Sequence, residues 1–341
     1  MARIFLTGGS GFIGGALLTR LVERGDEVVS LARSDAAAAA VAARGGEVAR
    51  GNVLDEDSLV TGMAGCSLVF HVAGVNTHCP DDPEMLMRVN VAGAEAAVRA
   101  AARAGVGRVV LTSSAAAVGE AAGTVGTEDS PHRGSYLSLY DRSKHDGERA
   151  AFDAAQREGV EVVAVNPSSV QGPGRTGGNG KIIIAYLNGR LRAFVDTWIS
   201  IVDIDDCAEG HLLAAEHGEP GRRYILNGAT IPSREALEIV GEISGVRENV
   251  PLVAPVLARG AATLAEGLAR VRGRTSSLCR ARVRTILHGH RYDGSRATRE
   301  LGLAYTPVAE TFRRTIEWAV EEGLVERPLP GLMRQPGVGV D

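Results

Sequence analysis

"TGGSGFIGG", Thr7 to Gly15, follows directly on the apolar run "ARIFL" and leads into a helical stretch. Its glycines at 8, 11 and 14 stand three apart at this strand-to-helix junction. Gly8 allows a tight turn, Gly11 lets the backbone approach a pyrophosphate, and Gly14 lets the helix pack closely on the strand. The helix start then offers free N–H groups and the positive end of its dipole to the phosphates. A glycine spacing alone is a weak signal. Set on a first strand, with a second strand "DEVVSLAR" about 20 residues on, it is a strong one for a dinucleotide. The end of that second strand selects which dinucleotide. An acid there would hold the ribose 2′-hydroxyl of NAD, whereas a cation suits the 2′-phosphate of NADP. The strand ends "SLARSD", with Arg33 at that place, so NADP(H) is favoured; Asp35, two positions on, keeps NAD(H) open.

Working outward, apolar runs alternate with helical stretches. "SLVFHVAG", "GRVVLTSS" and "VEVVAVNP" read as further strands, and the alanine tract Ala36 to Ala40 as helix. Such alternation predicts an α/β fold, a Rossmann-type doubly wound parallel sheet. Past Pro167 the pattern becomes less regular. "QGPGRTGGNGK" reads as a loop, "RRYILNG" as one more strand, and "SREALEIVGEISG" as a helix with a Ser start. The tail "RATRELGLAYTPVAETFRRTIEWAVEEG" reads as two helices flanking a Pro turn. The predicted dinucleotide-binding domain is 1–166, with contributions from about 200–230. Residues 167–199 and 231–341 form a smaller C-terminal substrate lobe. "GPGRTGGNGKI" is not a nucleoside-triphosphate loop, because Arg175 stands where the first glycine belongs and Ile182 where the hydroxyl belongs.

The bulk numbers suit a soluble globular protein: 341 residues, 45% hydrophobic, 23% charged. With a net charge of −4 and scattered arginines, no nucleic-acid partner is expected. The segment "PLVAPVLARGAATLAEGLARVRG" carries charges throughout, so neither a membrane span nor a membrane partner is expected. "MARIFLTGG" does not read as a secretory leader. Cys66, Cys79, Cys207 and Cys279 are far apart, and read as buried thiols of a reducing, cytoplasmic setting rather than a disulfide frame. His71 and His78 have no carboxylate or Cys at ligand spacing, so no metal is expected.

One further stretch carries chemistry. "SLYDRSKHDGE", Ser138 to Glu148, sets Lys144 four residues after Tyr140, one above the other on a helix face. The chain has two lysines against 35 arginines, so a Lys marks a place where a compact ammonium is needed. A phenol beside an ammonium can serve as an acid or base near neutral pH.

Together these segments resemble the extended short-chain dehydrogenases/reductases, the NAD(P)-dependent epimerase/dehydratase superfamily. "VVSLARS" and "RYDGSRATRELGL" look most like its dihydroflavonol-4-reductase-like branch. "TGGSGFIG" matches the family's glycine loop, which implies that Gly8, Ser10, Gly11, Phe12, Ile13 and Gly14 cradle the cofactor. "GNVLD" resembles the adenine-binding segment, with Asn52 in place of the usual Asp, beside Val53. "FHVAG" implies contacts from Val72, Ala73 and Gly74. "NPSSVQGPG" implies contacts from Pro167, Ser169 and Val170, with Asn166 and Gln171 departing from the common residues toward the substrate side. "VNVAG" places Asn90 at a helix start, either holding the site or capping the helix, and Glu128 and Asp129 of "TEDSP" read as loop closers.

The resemblance implies a catalytic set of Ser114, Tyr140 and Lys144. Tyr140 would be the general acid, and Lys144 would lower its pKa and bond the nicotinamide ribose. Ser114 would orient the carbonyl, in preference to Ser113. Substrate contacts are expected from Asn76, Ser114, Gln171, Arg175 and Lys181. The implied activity is NADPH-dependent reduction of a ketone or aldehyde in a small molecule, by a homodimer. The alternatives are a nucleotide-sugar epimerase or dehydratase with tightly held NAD, and a non-catalytic sensor of the cofactor.

Overall fold

The computed structural model describes residues 2–272, 276 and 278–332. Strand β1 (Arg3–Thr7) turns Ile4 and Leu6 into one core and Phe5 into the other. Both faces are therefore covered, as a strand buried in a parallel sheet requires. The other sheet strands are β2 (Glu27–Ala32), β3 (Glu47–Arg50), β4 (Leu68–His71), β5 (Arg108–Thr112), β6 (Glu161–Pro167) and β10 (Arg223–Leu226). The seven run parallel in the order β10-β6-β5-β4-β1-β2-β3. Helices α1 (Phe12–Glu23), α2 (Asp35–Ala42) and α8 (Ile204–His217) cover one face. Helices α3 (Glu56–Met63), α5 (Gly93–Arg103) and α6 (Leu139–Glu158) cover the other, and the short α4 (Pro83–Met87) precedes α5. The strand order reverses between β1 and β4, and ligands of open α/β sheets bind in the crevice at such a switch point.

The smaller lobe is built from β7 (Ser169–Gln171), α7 (Asn179–Leu187), β8 (Phe194–Val195), β9 (Trp198–Asp203), β11 (Ala229–Pro232), α9 (Ser233–Ser244) and β12 (Leu252–Val253). Its core joins Ile183, Leu187, Ile201, Val240, Phe312 and Ile316. Helices α10 (Pro255–Val271) and α11 (Arg280–His288) form a separate pair meeting at Ala258, Ala262 and Val283, and α12 (Val308–Glu321) closes the lobe.

The α/β reading holds, and four local features differ from the sequence expectation. Strand β3 is an edge strand with only Val48 and Ala49 half-buried, too short a signal to register. The glycine-rich loop ends earlier than its composition suggests, because Lys181 lies in the first turn of α7. Ser233 does not cap α9; it is buried, donates to the Val195 carbonyl at 2.9 Å and accepts from the Thr197 amide at 3.1 Å. The first tail helix is a single π-helical turn, Ala297–Leu301.

The cysteines bring the main correction. Cys79 and Cys279 form a disulfide across 200 residues of sequence, with Cα atoms 5.9 Å apart. It ties the loop after β4 to the segment entering α11. Cys66 and Cys207 are buried free thiols. The argument from four unpaired cysteines to a reducing compartment therefore loses its ground. Closing so long a loop restricts the unfolded chain, so Cys279→Ser is expected to lower stability by about 2–4 kcal/mol. Urea unfolding under oxidising conditions measures this, and an unchanged midpoint would contradict the clasp.

Candidate active site

The switch-point crevice is shaped by backbone contacts that only glycine permits. Gly8 has φ +80°, and a Cβ there would sit 2.8 Å from the Ala73 amide nitrogen. A Cβ on Gly14 would run into the Gly8 carbonyl oxygen. The Thr7 hydroxyl clasps the two central strands by accepting from the Val72 and Ala73 amides, each at 3.1 Å, and pairing with His71 Nδ1 at 3.1 Å. Burial, with the charge of Lys144, pushes the His71 pKa down to about 3, so this imidazole is neutral. Gly11 starts α1 with no side-chain cap, which leaves first-turn N–H groups for a ligand. The glycine cradle and uncapped helix start fit a dinucleotide pyrophosphate.

The remaining predicted cofactor contacts are distributed around this crevice. Ser10 is exposed and Phe12 and Ile13 half-buried at the start of α1. Arg33 is exposed just beyond β2, while the Asp35 carboxylate is held by Arg50 at 2.7 Å. Val53 is buried against Gly93, whereas the Asn52 side chain turns back to accept from the Leu54 amide at 3.0 Å. A Cβ on Gly74 would lie 3.2 Å from Asn90 Oδ1 and 3.5 Å from Lys144 Nζ. Asn90 sits in a π-helical turn, where it accepts from the Val75 amide at 2.7 Å and donates to the Val75 carbonyl and the Ser143 hydroxyl. Of the two readings offered by sequence, Asn90 is the one that holds the site's backbone. Pro167 and Val170 are buried at the turn from β6 into β7, and the Ser169 hydroxyl accepts from Gln171 and Asn179.

Helix α6 carries the phenol and the ammonium. Its cap is Ser138, whose hydroxyl accepts from the Asp141 amide at 3.2 Å. Lys144 is half-buried and donates to the Thr112 carbonyl at 2.9 Å, at the end of β5. Desolvation lowers its pKa to about 8, against the opposing charge of Glu148. Two residues beyond Thr112, Ser114 starts a short turn, with its Oγ accepting from the Ala116 amide at 3.2 Å. The Tyr140 hydroxyl lies close enough to Ser114 for that hydroxyl to lower its pKa. The buried Ser113 hydroxyl has no partner among the described residues, so the structure brings Ser114 to the phenol and not its neighbour.

The electrostatics of Tyr140 differ from expectation. Its pKa is raised by burial, an effect reinforced by Asp141 and opposed by the Ser114 hydroxyl and the charge of Arg175. Lys144 is not among these influences. The nearby cation is Arg175, whose guanidinium also lies 5.1 Å over the Phe12 ring. Arg175 therefore links the glycine loop to the phenol, a connection between distant segments that spacing does not reveal.

Other side chains support this centre. Asn166 is fully buried under Ser114, donating to its carbonyl at 3.0 Å and to Glu148 at 2.6 Å, and Glu148 also pairs with Arg223 at 2.8 Å. The expected substrate-side role of Asn166 gives way to one of positioning. Glu128 accepts from the Ile225 amide and Arg296 pairs with both Glu128 and Asp129, closing the loop as expected. Among the substrate candidates, Asn76 and Lys181 are exposed. Gln171 is buried at the edge of a small apolar cavity between β9 and α9.

His78, weighed by sequence only as a ligand, bonds Ser138 at 3.1 Å and sets its ring edge-on to Tyr140, 5.2 Å between centroids. Nearby in sequence to Ser114, Glu120 takes imidazole partners from a segment far along the chain: His290 at 2.6 Å and His288 at 3.2 Å. Burial alone would raise the Glu120 pKa, but these hydrogen bonds outweigh it and bring it to about 2. No motif announced this group.

A phenol, a hydroxyl and a half-buried ammonium beside a dinucleotide cradle suit an oxidoreductase, and the comparisons agree on that class. The NAD dependent epimerase/dehydratase family matches residues 4–226, and the chain belongs to it. It is 32% identical over 333 residues to a putative dihydroflavonol 4-reductase of Synechocystis sp., covering 94% of this chain and 96% of that one. It is 32% identical over 313 residues to the 4-hydroxy-2-methyl-3-oxo-4-farnesyl-3,4-dihydroquinoline-1-oxide ketoreductase of Stigmatella aurantiaca, covering 89% and 92%. The solved structure of gox2253 superposes with a TM-score of 0.83 at 31% identity, covering 96% and 100%. The protein is an NAD(P)-dependent oxidoreductase of the extended short-chain type.

Replacing Asn166 by Leu would strip a buried carbonyl and a buried carboxylate of their donor. The expected cost is about 1–3 kcal/mol in denaturant unfolding. An unchanged stability would show that Asn166 does not support Ser114.

Proposed function

We propose that the protein reduces a ketone or aldehyde carbonyl of a small, largely apolar molecule with NADPH. The observation that carries this reading is the approach of the Ser114 and Tyr140 hydroxyls at the switch point, with Lys144 half-buried one helical turn away. When bound, the dinucleotide supplies the hydride. The Tyr140 hydroxyl, kept protonated at neutral pH by its raised pKa, donates a proton to the carbonyl oxygen. The Ser114 hydroxyl holds that oxygen while negative charge gathers on it. The Arg175 guanidinium stabilises the phenolate left behind, and Lys144 presents its remaining N–H donors toward the Gly74 side of the crevice. Both relatives described above are named as reductases, one of them as the ketoreductase of a farnesylated 3-oxo compound.

Preference for NADPH is supported by Arg33, which has no ion-pair partner among the described residues, and by Asp35, which is neutralised by Arg50. Substrate contacts from Asn76, Arg175, Lys181 and Gln171, and a homodimer through α5 and α6, belong to the same proposal.

Tyr140→Phe is expected to lower turnover by about 10²–10⁴-fold and to leave NADPH affinity unchanged. Undiminished turnover would refute the role of the phenol. Arg33→Asp is expected to shift the NADPH-to-NADH preference by about tenfold or more toward NADH. A screen of ketones, aldehydes and sugar nucleotides discriminates the main rival. NAD(H) retained through purification, with no ketone oxidising added NADPH, would favour an epimerase or dehydratase.

A further inference from the structure

Helix α10 exposes an apolar face that the other described residues leave uncovered. Leu257 is 64% exposed, Leu264 75%, Leu268 48% and Val271 85%. Their spacings of seven, four and three residues put them on one face of the helix. With Val256, α10 holds five of the ten large apolar side chains exposed among the described residues. The opposite side of the helix is occupied: Ala258 and Ala262 pack against α11, and Arg259, Thr263, Glu266 and Arg270 line a cavity of about 1480 Å³. That cavity also reaches His78 and the Cys79–Cys279 clasp. A contiguous exposed patch of this kind marks a surface made to be covered.

Charge indicates what covers it. Residues 255–284 contain seven arginines and a single carboxylate, Glu266, within a chain of net charge −4. The guanidinium groups of Arg259 and Arg272 have no ion-pair partner among the described residues, and Arg270 shares Glu266 with Arg280. Two copies joined through α10 would bring two strongly cationic segments together, which is unfavourable. An anionic surface with an apolar interior satisfies both features at once. Leu and Val side chains enter the acyl boundary, while arginine stems reach back to the phosphates. No described helix is long and apolar enough to cross a membrane, so this helix would lie in the interface.

We propose, against the sequence expectation that this segment has no membrane partner, that the exposed face of α10 docks the protein onto an anionic lipid bilayer. The docking does not depend on the assigned reaction. It also places the bilayer against the helix whose other face lines the cavity.

The test is co-sedimentation of the full chain with vesicles of phosphatidylcholine alone or mixed with phosphatidylglycerol. The protein is expected to bind the anionic vesicles about tenfold more than the neutral ones, and to be released as salt rises. L264E/L268E is expected to reduce binding about tenfold, with circular dichroism and NADPH affinity unchanged. Should that pair disturb folding, Val271→Asp, at the most exposed position, is expected to weaken binding in the same direction. The proposal is overturned if the wild-type chain stays in the supernatant with anionic vesicles. It is overturned equally if the folded variants bind as wild type does. Sedimentation velocity showing a dimer that L264E/L268E dissociates would assign the face to a second copy and overturn it too.

Discussion

A half-buried lysine ammonium, drawn out of most of its water, sets the geometry of the whole site. Burying a cation is costly unless it is bonded, and burial has lowered the Lys144 pKa to about 8. Its partner is the carbonyl at the end of β5, and that bond fixes α6 against the strand leading to Ser114. Tyr140, one turn earlier on the same helix, is thereby delivered to the Ser114 hydroxyl. A guanidinium is larger and planar, so a confined site of this kind takes one of the two lysines of a chain that otherwise uses arginine.

Around the ammonium the polar groups are arranged so that few charges go unanswered. His71 is neutral beside it. Glu148 is on its far side, itself held by Arg223 and Asn166. On the dinucleotide side, the Thr7 hydroxyl and the Gly8 turn bring the ends of β1 and β4 close enough to form the crevice. Precision here comes from buried hydrogen bonds on strands and helices rather than from the loops. Helices α10 and α11 are joined to this scaffold by the Cys79–Cys279 clasp.

Much of this was legible in sequence because the signals are local. Strands buried on both faces are continuous apolar runs, and the glycine turn and the Tyr140/Lys144 spacing each fit within one helical or strand-to-helix unit. What was not legible depends on segments that meet only in the folded chain. Asn166 reaches Ser114 across 52 residues and the disulfide closes across 200. Sequence could place Lys144 beside Tyr140 on a helix face, but not show that its ammonium is directed to Thr112 while Arg175 comes from elsewhere to the phenol. The edge strand β3 escaped for a different reason: with one side open to solvent it needs only two apolar residues.

The two-lysine composition makes the central claim directly measurable. In protein labelled with ¹³C at lysine Cε, only Lys144 and the exposed Lys181 contribute signals, and Lys181→Arg assigns them. Titration by NMR should show Lys144 losing its proton near pH 8, well below the usual lysine value. Titration of Lys144 at about 10.4, the value of a freely hydrated side chain, would contradict a desolvated ammonium and the geometry built on it.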